Sequence, residues 1–308
     1  MDLEEKILMN GKTYKNWLSD AISKLNNVKV DFPHLVAEVI LSNALSLERA
    51  SIIAHSDNSL SIEELQIADE MLEKRITGTP LSYVLEETEF FSLKIRVTPA
   101  VLVPESETEH LVQAVLDIAA YPEYENMKEI TLIDIGTGSG CILAAIGVND
   151  ARFVGFGTDI STEALKIAEY NLNLHDVSKR FQLIQSDMFA SIPVSNKQES
   201  VQKFDFIVSN PPYIGFTERK NLRPEVLTQP DVSLFGGEIG TEFTIKLLSE
   251  SYPRLKQGGY LIIEIGQDTQ HEIIHTAEKI GFRYIKSIYD YTHIERILSF
   301  SKPNSNEH

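Results

Sequence analysis

The residues of this chain best suited to chemistry close an apolar run, in which Phe204-Asp205-Phe206-Ile207-Val208-Ser209 leads into Asn210-Pro211-Pro212-Tyr213. The first six read as a strand. The two prolines forbid helix and hold the following loop rigid. The Asn210 side-chain carbonyl and a backbone carbonyl of the proline segment can together accept both hydrogens of one NH2 group. Tyr213 can pack on the planar group that carries it. An amide nitrogen is a poor nucleophile because its lone pair is delocalised into the carbonyl. Acceptors that orient its hydrogens turn the lone pair toward an electrophile. Catalysis of this kind is positioning and electrostatics, with no strong general base. The plain alternative is a stiff Pro-Pro turn that binds nothing.

A second constellation comes earlier in the chain: Leu132-Ile133-Asp134-Ile135-Gly136-Thr137-Gly138-Ser139-Gly140. An apolar strand ends in an acid and a glycine-rich turn, and Cys141-Ile142-Leu143-Ala144-Ala145-Ile146 then opens a helix. Glycines allow positive φ and a close backbone approach. The amides of the helix N-terminus face whatever lies there. Such a turn serves a methyl-donor site, a dinucleotide site or no ligand at all. Asp159 follows the run 153–158, one strand–helix–strand step later, where a carboxylate can accept both hydroxyls of a ribose. That spacing fits a nicotinamide cofactor equally well, and the plain alternative is a cap for a helix starting near Thr162. Gln185-Ser186-Asp187-Met188-Phe189 sets an acid, Asp187, where it could meet the amino group of adenine. Met188 there offers the ring a polarisable face. The plain alternative is a loop acid beside a core Met and Phe. Cys141 could have a lowered thiol pKa at its helix start, but the simpler expectation is a small core residue. No Cys or second His sits at metal spacing from His34 or His55, so no metal site is expected.

These residues need elements to hold them. Residues 1–78 have few Gly or Pro and carry helical stripes, Leu35-Val36-Val39-Ile40-Ala44 and Leu65-Ala68-Met71-Leu72, which predict four or five short helices anchored by Trp17. Ser61 with Glu64 reads as a capping box, and Gly78 with Pro80 as a stop. Residues 90–97 read as a strand, half of a hairpin, and Ser106 with Glu109 as the start of a helix to about Ala120. From residue 130 short apolar runs alternate with amphipathic helices, which argues for a parallel sheet covered on both faces. The strands are expected at 131–135, 153–158, 181–186, 204–209, 260–265, 283–289 and 295–300. The last two have no helix between them and should pair antiparallel at one edge. That makes an α/β fold, a seven-stranded Rossmann-like sheet arranged as in S-adenosylmethionine-dependent methyltransferases. The turn holding Asp290, His293, Glu295 and Arg296 reads as solvated, residues 195–203 as a polar loop insertion, and 302–308 as a frayed tail.

The chain has 308 residues, more than one ordinary domain of about 100–200 residues. Apolar residues make up 43% and charged residues 24%, which excludes wholesale disorder. The net charge of −17 speaks against a broad phosphate-binding surface and so against direct nucleic-acid binding. A single cysteine excludes an internal disulfide. The acidic first five residues lack a signal-peptide core, and no run of about 18 apolar residues could span a membrane. A cytoplasmic protein is expected.

Taken together, the motifs resemble the HemK/PrmC family, whose members methylate the side-chain amide of the glutamine in the Gly-Gly-Gln motif of peptide chain release factors. Leu45-Ser46-Leu47-Glu48-Arg49-Ala50 resembles the family's substrate-binding module, and Arg75-Ile76-Thr77-Gly78-Thr79-Pro80-Leu81 its connector. Phe235-Gly236-Gly237-Glu238-Ile239-Gly240 resembles a family loop, as does Ile263-Glu264-Ile265-Gly266. The resemblance implies a helical substrate-binding domain at 1–80, a hairpin and helix connector at 81–120 and a methyltransferase domain at 121–302. It implies S-adenosyl-L-methionine as donor, with S-adenosyl-L-homocysteine as product and a peptide chain release factor as partner. Donor contacts would come from Asp134, Gly136, Thr137, Gly138, Ser139, Gly140, Asp159, Asp187, Met188 and Asn210. The acceptor would meet Asn210, Pro211, Pro212 and Tyr213, with one of Phe90 and Phe91. The chain departs from the family pattern at Pro104-Glu105-Ser106-Glu107-Thr108, where an arginine is replaced by an acid, at Met188, where the family often has an aromatic, and at Phe235, which replaces an acid. Alternatives are a paralogue acting on another protein glutamine or amide, a DNA or RNA amino-group methyltransferase, and a non-catalytic binding protein on the same scaffold.

Overall fold

The computed structural model describes residues 11–193, 201–290 and 292–304. The chain divides into two compact units, Met1–Glu86 with Pro224–Thr228, and Glu87–Arg223 with Gln229–His308. The first ten residues, most of the insertion expected at 195–203 and the end of the 302–308 tail lie outside the described residues.

The first unit is helical. Helix α1 (Tyr14–Asn27) is capped by Thr13, whose hydroxyl accepts from the Asn16 amide at 3.3 Å. Helix α2 (Pro33–Leu45) opens on a proline, which needs no N–H there. Helix α3 (Arg49–Ala54) is one short step. Helix α4 (Ile62–Ile76) has the expected capping box: Ser61 N–H donates to Glu64 Oε2 at 2.7 Å and Glu64 N–H to Ser61 Oγ at 3.2 Å. Gly78, at φ +98°, follows its end, and helix α5 (Leu81–Leu85) follows Pro80. Trp17 is buried at the centre with Leu25, Ile40, Leu41 and Leu72, and its indole N–H donates to Asp69 at 2.7 Å. The buried stripe of α2 is Val36, Ala37, Ile40 and Leu41, while Leu35 is exposed. The expected stripe was rotated by part of a turn, because α2 is apolar on most of its surface and its periodicity is weak.

The second unit opens with a hairpin. Strands β1 (Glu87–Phe90) and β2 (Leu93–Arg96) pair antiparallel, Phe90 opposite Leu93. The expected single strand over 90–97 is therefore broken by a two-residue turn. Phe91 and Ser92 both have positive φ, +51° and +60°, as a type I′ turn demands. The expected Ser106 cap is also absent. A 3-10 turn, Ser106–Thr108, precedes the helix Glu109–Ala119. The α-helix begins only at Glu109, so Ser106 lies a 3-10 turn too early to cap it; its hydroxyl donates to Glu107, and the Glu109 carboxylate accepts the Phe91 amide at 2.7 Å.

The main sheet holds β3 (Ile130–Ile135), β4 (Phe153–Asp159), β5 (Phe181–Gln185), β6 (Phe204–Ser209), β9 (Leu255–Glu264), β10 (Arg283–Tyr289) and β11 (Glu295–Ser301). A small parallel pair, β7 (Ile214–Gly215) with β8 (Phe235–Gly237), lies apart from it. The sheet order is β10-β11-β9-β6-β3-β4-β5. Strands β3, β4, β5, β6 and β9 run parallel, and β11 is antiparallel to both β9 and β10. β6 is buried at every position, as expected of a central strand covered on both faces. Phe204, Leu261, Ile263 and Phe300 join Leu247, Leu248 and Ile273 of the covering helices in one core. Each such side chain contributes about 1.5–3 kcal/mol by leaving water. From β3 the chain builds β4 and β5 on one side, then crosses to β6 on the other. That reversal opens a crevice at the carboxyl ends of β3 and β6, the usual place for a ligand in an open α/β sheet. Among the described residues no helix is long and apolar enough to cross a membrane.

Candidate active site

The glycine turn caps the end of β3. The Gly136 and Thr137 amides both donate to the Thr158 carbonyl at 2.8 Å, which folds the turn over the neighbouring strand. Gly136 and Gly138 have φ of +72° and +53°, and a Cβ on Gly136 would meet nothing within 4 Å. The backbone at Gly136 therefore faces open space in a conformation that side chains rarely adopt. Gly140 differs: its Cβ would lie 3.0 Å from Ala168, so it serves close packing of the helix Cys141–Asn149. Asp134 is fully buried beneath the turn. One of its oxygens accepts from the Thr137 hydroxyl at 2.6 Å, and the other, Oδ1, has no partner. Burial pushes its carboxyl up to about 7, against the Thr137 hydrogen bond and with help from nearby Asp159.

Asp159, at the end of β4, accepts the Gly138 amide on one oxygen and the Ser161 amide on the other, each at 2.9 Å. The helix Thr162–Leu174 is capped by Ser161, so Asp159 is not its cap. Burial raises the Asp159 carboxyl above its ordinary value. Met188 is buried with φ +48° and borders both the core and the cleft. Asp187 is exposed, and Lys246 already pairs with it at 3.2 Å. Cys141 is buried, which pushes its thiol up to about 12. The lowered pKa considered for a helix start is absent, because desolvation outweighs the helix amides.

Asn210 follows β6 directly. Its side-chain NH2 donates to the Thr108 hydroxyl at 3.0 Å, and Thr108 in turn donates to Glu264 Oε2 at 2.6 Å. The other oxygen of Glu264 accepts from the Tyr213 hydroxyl at 3.4 Å. Glu264 ends β9 and is fully buried. Burial pushes it up to about 8; Glu105 adds to the rise, and Thr108, Arg296 and Tyr213 oppose it. Glu105 is itself raised by burial and by Glu107. Arg296, which faces Glu105, Glu264 and Tyr213 electrostatically, is held by Asp290 at 3.0 Å. Asp290 also accepts from the Thr292 hydroxyl and from the Thr292 and Ile294 amides, and these bonds hold its carboxyl far below the ordinary range. The turn expected to be solvated is thus a folded brace for an arginine facing the site.

The Gly236-Gly237 loop packs on the proline segment. A Cβ on Gly236 would lie 2.2 Å from the Pro212 carbonyl, and one on Gly240 2.4 Å from the Tyr213 carbonyl. The Glu242 carboxylate accepts the Ile239 and Gly240 amides and fixes that loop.

One cleft, with about 1000 Å³ of empty space including its open mouth, is bordered by Gly136, Thr137, Gly138 and Ser139 on one side. Asp159, Asp187, Met188, Asn210 and Pro212 border the rest, with Thr108 beside them. Asp134, Gly140, Pro211 and Tyr213 stand behind these residues. Phe90 is buried at 1% exposure, whereas Phe91 in the turn keeps some exposed surface. Thr108 was named only within the Pro104–Thr108 stretch and Arg296 only within a turn read as solvated, neither with a role in the site. Glu264 was noticed only within a loop match, since one acid at a strand end carries no sign of its partners. The cleft suits S-adenosylmethionine. A Cβ-free turn leaves room for the backbone to approach it, and the orphaned Asp134 oxygen suits a cationic group. The two Asp159 oxygens keep free lone pairs for hydroxyls. Among the described residues no cluster of His, Cys, Asp or Glu is placed to hold a metal ion.

Residues 16–85 match the family model described as the PrmC N-terminal domain, and residues 113–234 match the methyltransferase small domain. The chain is 33% identical to the release factor glutamine methyltransferase of Koribacter versatilis (strain Ellin345), over 95% of this chain and 100% of that one. It is 35% identical to the protein of the same name from Rhodopirellula baltica, over 93% of this chain and 94% of that one. Among solved structures it is similar to the hMettl16 catalytic domain in complex with a 3′UTR hairpin, with a TM-score of 0.53 and 17% identity. That match covers 77% of this chain and 83% of the other, and at such identity it speaks to the fold alone.

Proposed function

This chain belongs to the release factor glutamine methyltransferase family, and from that premise we propose that it methylates the side-chain amide of the Gly-Gly-Gln glutamine of a peptide chain release factor. It is an S-adenosylmethionine-dependent methyltransferase. S-adenosylmethionine supplies an electrophilic methyl carried on a sulfonium. Gly136, Gly138, Asp159 and Met188 would hold it, with Asp134 beneath and Asp187 at the rim. The observation that most supports the amide chemistry is the Asn210 side chain at the cleft, its NH2 spent on Thr108, which leaves its carbonyl to accept. That carbonyl and the backbone carbonyl of Pro211 would take the two hydrogens of the acceptor amide, while Tyr213 and Pro212 flank its plane. The nitrogen would gain the methyl as the sulfonium carbon–sulfur bond breaks, its electron pair staying on the sulfur of S-adenosylhomocysteine, and would shed one proton to solvent. The helical domain, residues 1–80, would grip the partner, 81–120 would connect, and 121–302 would carry out transfer. Of the two phenylalanines, Phe91 has the surface to meet an acceptor.

The test is transfer of labelled methyl from S-adenosylmethionine to purified release factor, beside an Asn210→Ala variant and a duplex-DNA control. Label on the factor, lost in the variant and absent from DNA, is expected. Label on DNA, or label on the factor that survives Asn210→Ala, would overturn the proposal.

A further inference from the structure

We infer that Glu264, acting through the Thr108 hydroxyl, is the positioning residue that sets which end of the Asn210 amide faces the acceptor. The inference rests on the role given above to the Asn210 carbonyl. A threonine hydroxyl has one hydrogen to give. With Glu264 ionised it goes to Glu264 Oε2 at 2.6 Å, so toward Asn210 at 3.0 Å the same oxygen can only accept. The end of the Asn210 amide that meets it must be the NH2, and the carbonyl is turned to the other side. Without an acceptor at position 264 the threonine hydrogen is free to point at Asn210. The amide would then gain by flipping and would present NH2 to an acceptor that also offers NH2. The second Glu264 oxygen receives the Tyr213 hydroxyl at 3.4 Å, so one buried carboxylate braces both ends of the Asn-Pro-Pro-Tyr loop. Both Thr108 and Glu264 are buried, at 2% and 0% exposure, so water does not substitute for these partners. Burying an ionisable group is costly unless it is hydrogen-bonded, and both Glu264 oxygens are, to Thr108 and Tyr213. Around Glu264 stand Thr108 and Glu105 from the segment before the helix Glu109–Ala119, Tyr213 from the loop after β6, and Arg296 from β11.

Only an unprotonated Glu264 must take the Thr108 hydrogen, so turnover should rise with pH as this carboxyl ionises. The test is kinetic, with release factor as acceptor. Glu264→Gln forces an NH2 onto one of two hydroxyls that both need an acceptor. Thr108→Val removes the hydroxyl at constant shape, and Thr108→Ser keeps it. The expected result for Glu264→Gln and Thr108→Val is a fall in kcat of about tenfold to a hundredfold, the usual cost of losing a group that orients a primary ligand. KM for the factor and affinity for S-adenosylmethionine should stay within about twofold, a split that loss of packing would not give. Thr108→Ser should restore most of the turnover, and Glu264→Gln should remove the rising limb of the pH profile. If Asn210→Ala abolishes transfer while Glu264→Gln and Thr108→Val turn over like the parent, the relay is wrong and the functional reading stands. If Asn210→Ala leaves transfer intact, the functional reading itself fails. Should Glu264→Gln not fold, the valine and serine variants of Thr108 decide alone.

Discussion

Burial leaves two carboxyl groups near the cleft titrating far above an ordinary value of about 4: Asp134 at about 7 and Glu264 at about 8. Between those limits the folded chain holds protons that the unfolded chain has lost. Their contribution to stability is complete below the ordinary carboxyl value and is lost as pH rises through about 7 and 8. Melting temperature should therefore fall between pH 5 and pH 8, and Glu264→Gln should flatten the fall, as a series of melts will check. Turnover should move the other way, so activity and stability have opposed pH slopes at one residue. Asn210→Ala is expected to lower kcat by about a hundredfold or more, as for loss of one preorganised electrostatic contact, with little change in melting. The direct acceptor and donor candidates were legible at this scale because their signals are contiguous: Asn210 to Tyr213 in one run, Gly136 to Gly140 in another. The roles of Thr108, Glu264 and Arg296 were not, because a 3-10 turn and two strands distant in sequence bring them together.

In the loop Phe235 to Gly240 the Phe235 ring stacks on Phe216, and the rest acts through its backbone. Its glycines let two backbones touch, since a Cβ on Gly236 would sit 2.2 Å from the Pro212 carbonyl and 2.5 Å from that of Gly240. Gly236→Ala should push the proline segment out of place, costing about 1–3 kcal/mol in stability by overpacking. It should also cost most of the methyl transfer, while S-adenosylmethionine binding measured by calorimetry stays near that of the parent. The parallel strands were readable because burial on both faces leaves unbroken apolar runs. The turn between β1 and β2 was hidden, since Phe91 and Ser92 take left-handed angles without the usual Asn or Gly. The pair β7 and β8 spans two and three residues, too few for any periodicity. Ser106 does not cap the helix because a 3-10 turn, Ser106–Thr108, intervenes before Glu109.

Across the whole molecule, the stretch Pro224–Thr228 belongs with the helical unit although it is separated from it in sequence. Arg75, 6% exposed, donates to Glu225 at 2.5 Å and to the Thr79 carbonyl at 3.2 Å. Glu225→Ala would leave a buried guanidinium short of its acceptor, a loss of about 1–2 kcal/mol. Faster hydrogen exchange across residues 224–228 should accompany it, with donor affinity unchanged. The front helices match the PrmC N-terminal domain, and the crevice at the sheet's reversal carries the Asn210 motif. Glu105 stands where the family usually has arginine, and its carboxyl faces Glu264 and Arg296. The most direct measurement is tandem mass spectrometry of release factor after incubation with this protein and S-adenosylmethionine. One added methyl on the side-chain nitrogen of the Gly-Gly-Gln glutamine, and none elsewhere on the factor, is the expected result. An unmodified glutamine, in the presence of enzyme that binds S-adenosylmethionine, would contradict the assignment.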